Sequence, residues 1–246
     1  MAYAEGKIAL VTGGSRGIGA EISRRLAKDG FTVALNYASN ADVANALVTE
    51  IKAAGGQAFA VPGDVSDASA VAVMFDEAAK RGSEVAVLVN NAGVMGLGPI
   101  AQMDAATFDR MVAINFKGTF NTLQEAARRM GDGGRIINTS TSVTKLKLPT
   151  YGPYAATKAA VETLTAILSR ELRGRNITVN AVAPGPTATE LFFKGKSEEQ
   201  VAGITRMAPL ERLGQPNDIA GVVAFLAGPD GAWINGQTLF ANGGAI

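Results

Sequence analysis

The chain has 246 residues, 23 Lys+Arg against 22 Asp+Glu, and neither cysteine nor histidine. That composition excludes disulfides, thiolate catalysis, Cys-type zinc or iron–sulfur sites, Ser-His-Asp triads and imidazole ligation of a metal. The net charge of +1 gives no electrostatic case for nucleic acid or an anionic membrane, so acid–base chemistry falls to Tyr, Lys, Asp, Glu or a hydroxyl.

Short β-type runs alternate with longer helical stretches along the whole chain. A first strand over Lys7–Thr12 leads into a glycine-rich turn and a helix from about Gly17 to Asp29. Strands are expected at 31–36 and 57–64, separated by a helix over Asp42–Ala54 whose Val43, Ala46, Leu47 and Ile51 recur at helical spacing. Ser66 or Asp67 supplies an N-cap for a helix to about Arg81. VAVLVN at 85–90 is an unbroken apolar run suited to a strand buried on both faces. A long helix over roughly 104–130, a strand at 135–140, a helix over Pro153–Arg173 and a strand at 176–184 follow. A polar, Gly/Pro-marked stretch at 185–215, a helix over Pro216–Leu226 and a last strand at 237–241 complete the pattern. Seven strands with helical crossovers predict an α/β fold: one doubly wound, mainly parallel sheet with helices on both faces, in a single domain spanning residues 1–246. No apolar run approaches the ~20 residues that span a bilayer, and the apolar run near the N-terminus is too short for a signal peptide. A cytoplasmic protein is expected.

The turn after the first strand, TGGSRGIG, places Gly13, Gly17 and Gly19 where the backbone must approach a pyrophosphate closely and where a helix N-terminus offers free N–H groups. Tyr154 and Lys158 stand four apart on one helical face. An ammonium beside a phenol favours the phenolate, and such a pair can exchange a proton with a carbonyl or alcohol oxygen. Asn115 within FDRMVAINFKGTF is a poor helix former and points to a polar role, a local cap or kink being the plainer reading.

These motifs, with Asp64, NNAG at 90–93 and PGPTAT at 184–189, occur in an order that resembles the short-chain dehydrogenase/reductase family from about Lys7 to the C-terminus, closest to 3-oxoacyl-acyl-carrier-protein reductases and polyhydroxynaphthalene-reductase-like members. The resemblance implies a Rossmann dinucleotide-binding fold, Tyr154 as proton donor in carbonyl reduction, Lys158 lowering its pKa and holding the nicotinamide ribose, and Asn115 supporting a water relay. It also implies a hydroxyl that bonds the substrate carbonyl. The family places a serine thirteen residues before the tyrosine, where this chain has Thr141 between Ser140 and Ser142. The local S-V-T context favours Ser142, with Ser140 second and Thr141 third, and strand alternation puts Ser140 and Ser142 on one side and Thr141 on the other.

For the cofactor, the resemblance assigns Ser15, Arg16, Gly17 and Ile18 with Gly13 and Gly19 to the phosphates. Asp64 and Val65 fall beside the adenine, Asn91, Ala92 and Gly93 along the adenosine, and Pro184, Gly185, Thr187 and Thr189 at the nicotinamide. The second strand runs into Asn36, Tyr37, Ala38 and Ser39 with no carboxylate to hold a ribose 2′-hydroxyl. Arg16, with Asn36, Ser39 and Asn40, suits a 2′-phosphate instead, so NADP(H) is the expected cofactor. No metal site is indicated. A substrate lid is expected at about 187–210, where Leu191, Phe192 and Phe193 either close over an apolar substrate or pack elsewhere, and Leu146, Leu148, Pro149 and Tyr151 supply an opposite wall. The C-terminal WINGQTLFANGGAI resembles a tetramer-forming strand, so a homotetramer is expected. The reading is an NADP(H)-dependent carbonyl reductase, with an alcohol or sugar dehydrogenase working oxidatively, or a non-catalytic dinucleotide-binding regulator, as the alternatives.

Overall fold

A computed structural model describes residues 3–81 and 84–246. The strands are β1 (Ile8–Val11), β2 (Thr32–Tyr37), β3 (Gln57–Pro62), β4 (Val85–Asn90), β5 (Arg135–Thr139), β6 (Thr178–Pro184) and β7 (Thr238–Ala241). They form one sheet in the order β3-β2-β1-β4-β5-β6-β7, and every pairing is parallel. The helices are α1 (Gly17–Lys28), α2 (Ala41–Ala53), α3 (Ala68–Ala79), α4 (Ala105–Met111), α5 (Gly118–Arg129), α6 (Val143–Leu146), α7 (Gly152–Glu171), α8 (Glu190–Phe193), α9 (Glu198–Thr205) and α10 (Pro216–Ala227). No helix among the described residues is long and apolar enough to cross a membrane.

Alternation along the strands divides the core in two. Ala9 and Val11 of β1 pack with Ile22 and Leu26 of α1, Leu47 and Ile51 of α2, and Ile219 and Leu226 of α10. Ile8 and Leu10 face the other way, onto Val71 and Met74 of α3, Leu123 of α5 and Leu168 of α7. Both faces of the sheet are covered, so its strands are mostly apolar, as the run at 85–90 predicts. A buried polar chain ties the middle of the sheet to its helices. Thr122 donates to Asn90 at 2.7 Å, Asn90 to Asn138 at 2.9 Å, and Asn138 to Thr165 at 2.8 Å.

Two stretches depart from expectation. The helix predicted over 104–130 is broken at its centre by a π-helical segment, Val112–Lys117, that contains the fully buried Asn115. The polar stretch at 185–215 folds α8 and α9, the latter closed by a reciprocal Ser197–Gln200 capping box.

Strand order reverses between β1 and β4, so the carboxyl ends of the strands open a crevice there.

Candidate active site

The crevice begins with the turn between β1 and α1. Gly13 and Gly17 have φ of +58° and +54°, a left-handed conformation that favours glycine. A Cβ on Gly19 would lie 2.2 Å from the carbonyl oxygen of Gly13, and one on Gly13 would lie 3.0 Å from Cα of Ala92. The Thr12 hydroxyl accepts from the backbone N–H of Asn91 and of Ala92, both at 3.0 Å, and the Asn91 amide donates back to the carbonyls of Thr12 and Gly13. Glycine turn and NNAG segment are thus one rigid unit. Arg16 at the N-cap of α1 makes no side-chain cap, and no acidic residue occupies the first turn. The first N–H groups of α1 and the positive end of its dipole are therefore left for an anion. This tight cradle in front of an uncapped helix fits a dinucleotide pyrophosphate. Ile18 lines the crevice, Ser15 is buried beneath the turn, and Thr189 closes its far side within 3.6 Å of where a Gly17 Cβ would lie.

At the end of β2 the structure redirects one expectation. Asn36 is buried; its Oδ1 accepts from the Gly13 N–H at 3.3 Å and its amide donates to the carbonyls of Val61 and Gly63. It fastens the glycine turn to the sheet and has no group left for a ribose phosphate. Asn40 is likewise committed, capping α2 through the N–H of Val43. Arg16, Ala38 and Ser39 are exposed and Tyr37 half-buried. Asp64 is exposed and binds the Ser66 N–H and hydroxyl through one oxygen, leaving the other open. Val65 is buried against Gly118, where a Cβ would come within 2.5 Å.

The crevice widens into a cleft of about 1070 Å³ that is open to solvent. Tyr154 and Lys158, one turn apart on α7, both face it, with Gly93, Pro184, Gly185, Thr187 and Thr189. Lys158 is buried and donates to the Thr139 carbonyl at 2.8 Å; desolvation lowers its pKa to about 8. Burial raises the Tyr154 phenol to about 12, opposed by a hydrogen bond with the Thr141 side chain and reinforced by Tyr151. The expectation that Lys158 lowers the Tyr154 pKa is not met in this arrangement. Desolvation dominates both groups, and the ammonium is turned to the end of β5. At neutral pH the phenol carries its proton, and burial makes it a weaker acid than a free tyrosine.

Asn115 does not reach the cleft through its side chain. Its Oδ1 accepts from the Val94 N–H at 2.8 Å, and its amide donates to the Val94 carbonyl at 2.9 Å and to Thr157 at 3.2 Å. Asn115 Oδ1 and Lys158 Nζ converge on Gly93, where a Cβ would meet them at 3.3 and 3.5 Å. The asparagine therefore joins the segment after β4 to the turn of α7 that carries Lys158.

The three hydroxyls after β5 are separated by their partners. Ser142 is buried, donates to the Ala183 carbonyl at 3.2 Å and accepts from Asn242 at 3.2 Å. Ser140 donates to Glu162 at 2.5 Å. Thr141 is the one close enough to Tyr154 to lower its pKa. The backbone N–H groups of Ser140 and Ser142 still bond the Val182 and Pro184 carbonyls of β6, so the expected alternation persists past Thr139 and Thr141 is the hydroxyl set apart, beside Tyr154. Glu162, which the sequence reading passed over, takes Ser140 and Thr144 on the same oxygen, at 2.5 and 2.8 Å. Its signal was available: Glu162 stands four residues after Lys158, on the same face of α7.

Leu191 and Phe192 of α8 line the cleft with Ile204 and Met207, opposite Leu146, Leu148 and Tyr151. Phe193 is exposed and lies outside that lining, and so does Pro149.

A parallel doubly wound sheet, an anion cradle at its switch point and a protonated phenol facing the same cleft define a dinucleotide-dependent oxidoreductase. The family profile described as enoyl-(acyl carrier protein) reductase matches residues 13–245. The chain belongs to the short-chain dehydrogenase/reductase family. It is 44% identical over 251 residues to a short-chain type dehydrogenase/reductase of Picea abies, covering 98% of this chain and 93% of that one. It is 43% identical over 255 residues to a chloroplastic NADPH-dependent aldehyde reductase-like protein of Arabidopsis thaliana, covering 98% and 94%. Among solved structures, an angucycline C-6 ketoreductase with bound NADP superposes with a TM-score of 0.92 at 39% identity, covering 98% of this chain and 96% of that one.

Proposed function

We propose that the protein is a single-domain NADP(H)-dependent reductase of an apolar ketone, aldehyde or quinone-type carbonyl. The observation that carries this reading is the placement of Tyr154 with Lys158 in the cleft that joins the anion cradle to an apolar pocket. When bound, NADPH supplies a hydride to the carbonyl carbon and leaves as NADP⁺. Tyr154 donates its proton to the carbonyl oxygen, and Thr141, whose side chain lies beside the phenol, holds that oxygen in place of the expected Ser142. Lys158 adds a buried positive charge at neutral pH, and the Asn115 clamp positions it.

Exposed Arg16, which makes no ion pair among the described residues, and the lack of a carboxylate after β2 support NADP(H) over NAD(H). Two named relatives, one NADPH-dependent and one with NADP bound, support the same choice. The 3-oxoacyl thioesters remain within this reading through the motif resemblance. Oxidation of NADPH and NADH is to be measured with β-ketoacyl thioesters, quinones, diketones and aldehydes. NADPH-linked turnover on one class supports the reading; a preference for NADH refutes the role given to Arg16, and cofactor binding without turnover refutes the reductase.

The reading includes a homotetramer in the cytoplasm. Trp233 is 98% exposed beside the edge strand β7, and Phe116, Phe120 and Ile167 are exposed on the π segment, α5 and α7. Two such apolar surfaces suit a tetramer with two kinds of contact. Trp233 is the only tryptophan, so its emission reports assembly directly. A red, solvent-like emission maximum together with a monomer mass of 25.3 kDa refutes the tetramer.

A further inference from the structure

One polar group in the cleft is left over by the chemistry above. Tyr151 precedes the first residue of α7 and stands three residues before Tyr154, on the same side of the cleft. Residues three apart on a helix hold their Cβ atoms about 5–6 Å from each other. The two phenols are close enough for Tyr151 to influence the charge on Tyr154. The neighbouring hydroxyls are occupied, Ser140 by Glu162 and Ser142 by Ala183 and Asn242. Among the described residues the Tyr151 hydroxyl has no hydrogen-bond partner, and Arg135 Nε is the only buried, unpaired side-chain polar atom. The Tyr151 hydroxyl therefore opens onto the cleft.

Its surroundings there are apolar: Met95, Leu146, Leu148, Phe192, Ile204 and Met207. Its position is also enforced. Lys147 and Thr150 have φ of +54° and +73°, an unfavourable conformation for any side chain and most of all for a β-branched one. The Gly98 N–H fixes the Thr150 carbonyl at 3.0 Å, and the Tyr151 N–H turns back to Leu148. Such backbone strain persists only where the surroundings over-determine it, and here it sets the residue that faces the substrate. The Tyr151 phenol, whose pKa burial raises, carries its proton at neutral pH and so is a hydrogen-bond donor.

A substrate that fills an apolar cleft strips water from this donor, and an unpaired donor then counts against binding. We propose that Tyr151 is a specificity-determining residue that donates to a second oxygen on the substrate, on the carbon next to the carbonyl being reduced, and that the substrate class is accordingly the 1,2-dicarbonyls and α-hydroxy ketones. The inference rests on the reductase reading. The Tyr151 hydroxyl keeps its proton throughout, so the net reaction is the one given above.

The test compares wild type with Tyr151→Phe on 1-phenylpropane-1,2-dione and on propiophenone, a matched aryl ketone without the second oxygen. The hydroxyl makes no bond within the chain, so the variant folds normally, which its thermal midpoint and NADPH affinity check. The expected result is a loss of about tenfold in kcat/KM for the dione with less than a twofold change for propiophenone, as befits one substrate hydrogen bond. Equal losses on both ketones, or none on either, overturn the inference while leaving the reductase reading intact. If wild type reduces neither ketone, the carbonyl panel above decides the reductase reading separately. The role of Tyr151 is then decided by calorimetric binding of 1-phenylpropane-1,2-diol with NADP⁺ present: tighter binding to wild type supports it, and equal binding overturns it.

Discussion

Thr141→Val separates the three candidate hydroxyls. Valine keeps the shape of threonine and removes only the hydroxyl, which lies beside Tyr154 and receives a long 3.4 Å contact from the Val143 N–H. Neither contact carries much folding energy, so stability should fall by less than about 1 kcal/mol. During reduction, negative charge develops on the carbonyl oxygen, and loss of one donor aimed at such an oxygen lowers kcat by roughly 10²–10³-fold. Thr141→Ser keeps the donor and should stay within about tenfold of wild type. Ser142→Ala is the contrasting case. It removes a donor to Ala183 and an acceptor for Asn242 in a buried setting. That should lower stability by about 1–2 kcal/mol, a drop of several degrees in Tm for a chain of this size, while kcat changes little. Steady-state kinetics with NADPH and a thermal melt on the three variants suffice. A 10²-fold loss in Ser142→Ala with near-normal Thr141→Val would refute the assignment, and show that the turn after β5 rearranges when substrate binds.

Further outcomes follow from the same geometry. Gly19→Ala puts a methyl 2.2 Å from the Gly13 carbonyl oxygen and 2.5 Å from the Asn91 amide; it should destabilise the fold by roughly 1–3 kcal/mol and abolish NADPH binding, read by nucleotide fluorescence. Glu162→Gln retains an oxygen for Ser140 and Thr144 and should keep most of kcat, whereas Glu162→Ala releases both ends of the 140–144 turn and should lower kcat about tenfold with little change in NADPH affinity. The Lys158 pKa of about 8 lies below its ordinary 10.5, so the unfolded chain binds more protons between those values. This group therefore adds stability as pH rises through 8, by roughly 2 kcal/mol up to pH 10. Above pH 10 the raised Tyr154 pKa works in the opposite direction, because the folded state then holds the extra proton. Urea unfolding of wild type and Lys158→Met between pH 7 and 10 checks the Lys158 contribution; parallel stability curves would refute it.

Much of the fold and part of the site are visible in the residues themselves. Unbroken apolar runs such as 85–90 mark strands covered on both faces, and a glycine turn between strand and helix marks the cradle, because both depend on local chemistry. The spacing of Tyr154 and Lys158 places both on one face of α7 for the same reason. What escaped depends on direction. In a sheet buried on both sides, periodicity cannot show that Asn36 turns inward to pin the glycine turn. Alternation does set Thr141 apart from Ser140 and Ser142, but the local S-V-T context that favours Ser142 does not show that Ser142 is tied to Ala183 and Asn242. The polar composition of 190–205 hides α8 and α9, short helices held by caps and by a few cleft-facing side chains. Tyr154 escaped in another sense: spacing pairs it with Lys158, but burial sets its pKa.

The all-parallel sheet also has a consequence for how the chain reaches this state. Parallel neighbours cannot be joined by a tight hairpin, so every strand pairing must wait for a crossover to form. The central pairing is the most distant: β1 meets β4, and the bond from Thr12 to Val89 spans 77 positions. The cradle is assembled at that junction, from one segment synthesised early and another synthesised much later. Refolding should therefore be slow, and dinucleotide binding should be among the last properties to return, after most helical signal has already been regained.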